Sequence, residues 1–161
     1  MVPDDVDRAA VLWDRHADAL YAYARRRVGA SAAPDVVADV FTVVVAHPDR
    51  VPDDALPWLY RTAWNMIANL RRADARRSSF AFESTSVADP GSVVADRAAL
   101  FAALAELSDP DREAILLTAW EGLDAKRAAA AAGCSGATFA VRLHRARRRL
   151  ERALSVEEEV G

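Results

Sequence analysis

The sequence predicts an all-α protein: two small helical domains joined by a flexible linker, with a helix-turn-helix in the C-terminal domain. Apolar residues recur at helical spacing along most of the chain, and no stretch alternates in the way a strand requires. Glycine and proline are scarce, at six and seven of 161 residues. A segment rich in serine, with proline and glycine, interrupts the helical pattern at residues 78–96. A hydrophobic content of 52% is enough for real cores.

The first helix is predicted over Asp7–Val28, and Gly29 ends it. Its apolar side carries Leu12, Ala19, Leu20 and Tyr23. Residues 31–34 then read as a turn, because Pro34 followed by Asp35 is typical of a helix start.

The second helix, Asp35–Ala46, is apolar on nearly all sides, so it must be broadly buried or covered by a partner. Asp35 and Asp39 lie four residues apart on one face. A catalytic pair is not favoured, because no nucleophile, metal ligand or substrate pocket is predicted nearby.

Three prolines and three aspartates predict a loop over His47–Pro57, followed by a third helix, Trp58–Arg77. The predicted buried stripe of this helix is Leu59, Ala63, Met66 and Leu70. The opposite face and its flanks carry Trp58, Arg61, Trp64, Asn65, Asn69, Arg71, Arg72 and Arg76. Aromatic rings, amides and guanidinium groups together suit unstacked nucleic acid, through stacking, base-edge contacts and phosphate pairing. The alternative is that Trp58 and Trp64 are ordinary core residues.

After the acidic linker, a fourth helix is predicted from Arg97 to Leu107, and Ser108 begins a fifth over Asp111–Glu121. The side chains expected beneath the helix-turn-helix are Ile115, Leu116, Ala119 and Trp120. The C-terminal half is therefore a compact unit of three or four helices, followed by an acidic end that frays.

Residues 122–150 read as a short helix, a tight turn and a basic helix, which is the pattern of a helix-turn-helix. Gly133 stands where the turn needs positive φ, and Ser135 stands where the second helix needs an N-cap oxygen. At about 100° per residue the core stripe is Phe139, Leu143, Ala146 and Leu150. The opposite side carries Thr138, Val141, Arg142, Arg145, Arg148, Arg149 and Arg152. A merely solvated face would mix both signs, whereas residues 142–152 hold six arginines and one acid.

The net charge of −3 hides a segregated distribution, with basic groups near residues 71–77 and 142–152 and an acidic linker between them. The single cysteine, Cys134, excludes an internal disulfide and reads as a small apolar plug in the turn. No leader and no apolar run long enough to span a bilayer is visible, so we expect a cytoplasmic protein with no membrane contact of its own. No catalytic residue, cofactor or metal site is predicted, because the three histidines have no acid or thiol at catalytic or ligand spacing.

The chain resembles the extracytoplasmic-function (ECF) group of the sigma-70 family of bacterial RNA polymerase specificity subunits. In the first half the similar residues are Leu20, Tyr21, Arg25–Arg27, Asp35, Val36, Val37, Asp39, Phe41, Trp58–Arg61, Ala63, Asn65, Arg71 and Arg72. In the second half they are Leu107, Arg112, Glu113, Leu116, Leu117, Glu121–Leu123, Ala129, Gly133, Thr138 and Arg142–Arg147.

The resemblance implies a region 2-like domain over 1–77, a linker over 78–97, a region 4-like domain over 98–154 and an acidic tail over 155–161. It implies docking on the polymerase β′ subunit through Asp35, Val36, Asp39, Val40 and Phe41. The loop and the Trp58–Arg77 helix would capture and open the −10 element. The reader of the −35 element would be Ala137, Thr138, Val141, Arg142, Arg145, Arg148 and Arg149.

The partners that follow from the resemblance are core RNA polymerase (β′ and β subunits), promoter DNA and an anti-sigma factor. Two other hypotheses stay open at this point. One is a helix-turn-helix regulator that acts without core polymerase, which would not need the Trp58–Arg77 face. The other is a helical interaction protein that no longer reads DNA, which would not retain a one-sided arginine helix.

Overall fold

The computed structural model describes residues 3–73 and 92–160, and within those ranges every regular element is helical, which confirms the all-α prediction. The elements are α1 (Pro3–Ala46), a 3-10 turn (Pro48–Arg50), α2 (Ala55–Ala73), α3 (Ser92–Glu106), α4 (Asp109–Ala119), α5 (Ala125–Ala132) and α6 (Gly136–Val160). The chain divides into two compact units, Met1–Glu83 and Ser84–Gly161. Residues 78–91 of the predicted linker lie outside the described residues, and residues 92–97 belong to α3.

Gly29 divides α1 into two helical segments, as the sequence predicted for the end of the first helix. Its backbone has φ 85° and ψ 168°, which a residue with a Cβ rarely adopts. The predicted turn over residues 31–34 is wrong, because the chain is helical again directly after this glycine. Pro34 is tolerated there because it lies close to the start of the second segment, where backbone N–H groups have few helical acceptors.

A buried aromatic stack joins α1 to α2 in the first unit. The Tyr23 and Tyr60 rings are nearly parallel, with centroids 4.6 Å apart. The buried guanidinium of Arg27 lies 3.5 Å from the Tyr23 ring centroid and donates to the Tyr23 carbonyl at 2.9 Å. Arg71 of α2 donates to the Arg27 carbonyl at 3.2 Å, just before the break at Gly29. This cluster fixes α2 against the first segment of α1.

The helix α2 begins at Ala55, earlier than the predicted Trp58, and its buried side is rotated from the predicted stripe. Leu59 and Ala63 are fully buried as predicted. Leu70 is 53% exposed, so its predicted burial is wrong, and Tyr60 and Ile67 are buried instead. The rotation follows from the Tyr60–Tyr23 stack, which decides which side of α2 faces α1.

By length and composition alone, α1 is apolar enough to cross a membrane, which the sequence analysis did not expect. Burial within the first unit accounts for part of that apolarity. Val36, Val40 and Val44 are almost fully buried, whereas 33% of the apolar window as a whole is buried. Gly29 interrupts the helix, and the second segment of α1 contributes one of its sides to the core of the first unit.

In the second unit, Arg112 of α4 holds the end of α3. Its Nε donates to the Leu104 carbonyl at 2.9 Å, and one terminal nitrogen donates to the carbonyls of Ala105 and Leu107 at 3.1 and 2.8 Å. The other terminal nitrogen pairs with Asp109 at 2.8 Å. The last carbonyls of a helix have no helical donor, so this buried guanidinium caps α3 from outside. The Ser108 hydroxyl accepts from the Asp111 N–H, which confirms the predicted cap of α4.

The helix-turn-helix, α5 to α6, has the predicted turn chemistry. Gly133 is left-handed, at φ 71° and ψ 33°, and the Ser135 hydroxyl accepts from the Thr138 N–H at 3.1 Å. Asp124 caps α5 by accepting from the Arg127 N–H at 2.8 Å, a cap that the sequence analysis missed. Helix α6 continues to Val160, so the predicted acidic tail is helical as far as that residue.

Candidate nucleic-acid interface

The core stripe of α6 lies beneath an exposed face near the start of the helix. Phe139 and Ala146 are buried, whereas Thr138 is exposed and Val141 is 67% exposed. A shallow concavity on this face is lined by Ala137, Thr138, Val141, Arg142 and Arg145. An exposed isopropyl group beside a guanidinium suits a DNA major groove, where thymine offers a methyl group and guanine offers two acceptors.

Two arginines of this face share one buried carboxylate. Asp111 at the start of α4 has no exposed surface, and its two oxygens accept from Arg145 at 3.0 Å and from Arg149 at 2.7 Å. The two arginine side chains remain 51% and 50% exposed. One negative charge therefore orients two positive groups, and the site keeps an excess positive charge toward solvent. The sequence predicted both arginines among the −35 reading residues, and this side of α6 is called the reading face below. Their common partner, Asp111, was not predicted.

Arg142 and Arg148 of α6 have no such carboxylate partner. Within residues 92–160, neither Arg142 nor Arg148 forms a hydrogen bond or ion pair. Arg142 is half-buried within the concavity, whereas Arg148 is exposed one turn beyond Arg145. The reading face thus contains two oriented and two unpaired guanidinium groups.

The pKa of Asp111 lies below its ordinary value: burial raises it, but the hydrogen bonds and positive charges of Arg145 and Arg149 outweigh burial. A carboxylate with a lowered folded-state pKa stabilises the fold above its unfolded pKa, about 3.9, and this stabilisation is lost as pH falls through the folded pKa. We expect the unfolding free energy of the second unit to fall below about pH 4, and to fall less steeply in Asp111→Asn. Urea unfolding between pH 2 and 6, followed by hydrogen exchange of α4 amides, measures this. Glu151→Gln, an exposed acid on α6, is the control, and equal pH slopes in both variants would contradict the assignment.

The predicted outer face of α2 is partly open and partly occupied. Asn65, Asn69 and Arg72 are exposed. Trp58, Arg61, Trp64 and Arg71 are half-buried, and Arg76 lies outside the described residues. Arg71 is committed to the Arg27 carbonyl, so at least part of its function is structural. Because both tryptophans are half-buried, they fit neither the core interpretation nor the interpretation as an exposed stacking surface completely.

The predicted docking residues on the second segment of α1 form two sets, one exposed and one buried. Asp35 and Asp39 are exposed, whereas Val36, Val40 and Phe41 are buried inside the first unit and offer little surface to a partner. The exposed residues beside the two acids are Ala38, Thr42 and Val45. The helical spacing of the apolar residues would already have distinguished the buried residues from the exposed ones at the level of the sequence.

Arg8 near the start of α1 contacts the loop before α2, a contact that the sequence analysis missed. Its two terminal nitrogens donate to the carbonyls of Pro48 and Val51, both at 2.7 Å.

Among the described residues, no group of three or more acids, histidines or cysteines could hold a metal ion.

Comparison with known families identifies the family to which this chain belongs. The sigma-70 region 2 model matches residues 12–77, and the sigma-70 region 4 model matches residues 97–150. The ECF RNA polymerase sigma factor SigL of Mycobacterium tuberculosis is 33% identical over 160 residues, covering 93% of this chain and 89% of that protein. The chain belongs to the ECF group of the sigma-70 family. It is an RNA polymerase sigma factor, and the two alternative functions are not favoured.

Two solved structures support the fold, and one of them is of a sigma factor. The sigma factor RpoE of Bartonella quintana, in complex with the anti-sigma factor NepR, is 27% identical with a TM-score of 0.65 and covers 96% of this chain and 99% of that chain. CnrH, in complex with the cytosolic domain of CnrY, is 28% identical with a TM-score of 0.64, covering 92% and 88%.

Proposed function

We propose that this ECF sigma factor binds core RNA polymerase and divides promoter recognition between its two units. In this proposal residues 1–77 bind polymerase and the −10 element, residues 98–154 bind the −35 element, and the segment between them is the linker. The observation that carries the proposal is the exposed face of α6, where Val141, Arg142 and two oriented arginines lie above a buried Phe139 and Ala146. No enzymatic activity forms part of the proposal.

The −35 contact is proposed to start at the N-terminal part of α6. Recognition helices contact base edges mainly through residues of their first turns. Thr138, Val141 and Arg142 are placed for this contact, while Arg145 and Arg149 present outward N–H groups whose direction is fixed by Asp111. The exposed Arg148 is suited to a phosphate.

The −10 contact is proposed for the exposed part of α2 and the loop before it. Asn65 and Asn69 offer amides to unpaired base edges, and Arg72 offers charge to the strand phosphates. The half-buried Trp58 and Trp64 provide ring surface beside this row. These contacts are gained only after bases leave the duplex, so they favour the open strand.

The polymerase contact is proposed for the exposed face of the second segment of α1. Asp35 and Asp39, with Ala38, Thr42 and Val45, form an acidic and apolar surface that suits the β′ subunit. An anti-sigma factor is a second proposed partner, because both solved relatives are complexes with another protein and one of these is named as an anti-sigma factor. Because core polymerase acts in the cytoplasm, a cytoplasmic location is part of the proposal.

Reconstitution with core RNA polymerase tests the function as a whole. We expect the complex to initiate RNA synthesis from a subset of promoters and to make thymines near −10 reactive to permanganate. Core polymerase alone is the control. Failure to initiate from any promoter in a random library would contradict the proposal.

The −35 assignment predicts different effects for two arginines of α6. Arg142→Ala should weaken promoter binding by about 1–3 kcal/mol and relax the preference at one base, because this side chain lies in the concavity. Arg148→Ala should weaken binding equally on all sequences and lower the salt slope by about one. Binding of the reconstituted polymerase to single-base −35 variants at several salt concentrations measures both. Identical profiles for the two variants would contradict the division of roles.

A further inference from the structure

The loop between α1 and α2 is held by contacts from inside and outside. On the inside, the Val51 side chain is buried in the first unit. On the outside, the two terminal nitrogens of Arg8 donate to the carbonyls of Pro48 and Val51 at 2.7 Å, and one of them also approaches the Pro52 carbonyl at 3.5 Å. Arg8 reaches across 40 to 44 residues of sequence to make these contacts.

Few other hydrogen bonds hold the backbone of this loop in place. Pro48 and Pro52 have no backbone N–H to donate. The loop's own backbone bonds run from Arg50 to His47 at 3.1 Å and from Val51 to Pro48 at 3.4 Å, the second at the long limit for a hydrogen bond. A planar guanidinium that bonds two carbonyls at once fixes their relative position, because charge-assisted two-point contacts are short and directional.

Four side chains of this loop are exposed and can meet a ligand. Asp49, Arg50, Pro52 and Asp53 are exposed, and α2 begins directly afterwards at Ala55. A base that leaves the DNA stack loses stacking energy, and a receptor for it gains affinity when its shape is set before binding. The Arg8 contacts hold the backbone of this loop in one arrangement.

We propose that Arg8 is a positioning residue for −10 recognition, which holds residues 48–52 in the shape that receives one unpaired base of the promoter strand. This inference rests on the proposed function of the first unit. It differs from a general charge effect, because Arg8 acts through the backbone of the loop and not through contact with DNA. Its loss should therefore change selection at one promoter position and leave the remaining positions as they are.

The test uses the reconstituted polymerase with three versions of the full chain: wild type, Arg8→Ala and Arg15→Ala. Arg15 is exposed on the same helix and has no hydrogen bond or ion pair within residues 3–73, so its removal changes the charge equally without touching the loop. Binding is measured to single-stranded oligonucleotides of the −10 strand that carry each base at each position. Preference among −35 duplex variants is measured in parallel.

For Arg8→Ala we expect discrimination at one −10 position to fall about tenfold, the effect typical of one lost base contact, with −35 preference unchanged. Arg15→Ala should keep the wild-type discrimination at every position. Arg8→Gln, whose amide can still donate to a carbonyl, should recover part of the lost discrimination, and it serves as the working variant if Arg8→Ala does not fold.

Two results would overturn the proposal. One is an equal loss of affinity for all bases, which would assign Arg8 to charge or stability alone. The other is a discrimination profile of Arg8→Ala that matches that of Arg15→Ala. A wild-type complex that neither initiates nor prefers any −10 base would instead overturn the proposed function, and it would do so before any variant is compared.

Discussion

Arg112→Ala is expected to lower the unfolding free energy of the second unit by about 2–4 kcal/mol, because the carbonyls of Ala105 and Leu107 lose a charged donor. The guanidinium is buried, and it satisfies the carbonyls of Leu104, Ala105 and Leu107 at once. A buried carbonyl left without a donor costs about 1–3 kcal/mol. The Leu104 carbonyl also accepts from the Leu107 N–H at 3.2 Å, so it keeps a donor in this variant. Urea unfolding, followed through hydrogen exchange of α3 and α4 amides, measures the loss.

Arg152→Ala is the matched control for this prediction. Arg152 is exposed on α6 and has no hydrogen bond or ion pair within residues 92–160, so its removal should change stability by no more than about 0.5 kcal/mol. Arg112→Lys keeps the charge but not the planar fork, so it should recover only part of the loss. A difference of less than about 1 kcal/mol between the two alanine variants would show that water replaces the guanidinium at little cost.

Tyr23→Ala is expected to destabilise the first unit by about 4 kcal/mol, which is the middle of the range for truncating a large buried aromatic side chain. The Tyr23 ring has no exposed surface, and it stacks on Tyr60 and lies under the Arg27 guanidinium. Its removal therefore leaves a cavity beside a buried positive charge. Hydrogen exchange of α2 amides in increasing urea measures the effect.

Tyr21→Ala provides the comparison, because Tyr21 lies on the same turn of α1 but is only half-buried. It should cost clearly less than Tyr23→Ala. Tyr23→Phe retains the ring and separates its packing from the contribution of the hydroxyl group. Equal losses for the two alanine variants would mean that the stack does not hold α1 and α2 together.

The local features of this fold could be predicted from the sequence where one residue type is required by backbone geometry. Gly133 and Ser135 were assigned their turn and cap roles, and both have them. Gly29 was correctly placed at a helix end, but the helix resumes at once, because the proline that suggested a turn is also tolerated early in a helix.

Features that depend on the neighbouring helix could not be predicted in the same way. The buried side of α2 is set by the Tyr23–Tyr60 stack, so Leu70 faces solvent although its spacing fitted a core stripe. The contacts from Arg8 to Val51 and from Arg145 to Asp111 join residues 43 and 34 positions apart. No local pattern encodes such pairs, and both concern residues that the candidate sites depend on.

Helix α5 also determines how much entropy the helix-turn-helix loses when it folds. Its buried side consists of Ala128, Ala129 and Ala131. Burying alanine costs no side-chain rotational entropy, whereas a buried leucine or isoleucine loses about 0.5–1 kcal/mol in this way. Helix α5 therefore gains little apolar area but also gives up almost no side-chain freedom, and its ordering cost is nearly all backbone. The hydrogen bonds of the Asp124 cap and of the Gly133 turn offset part of that backbone cost locally.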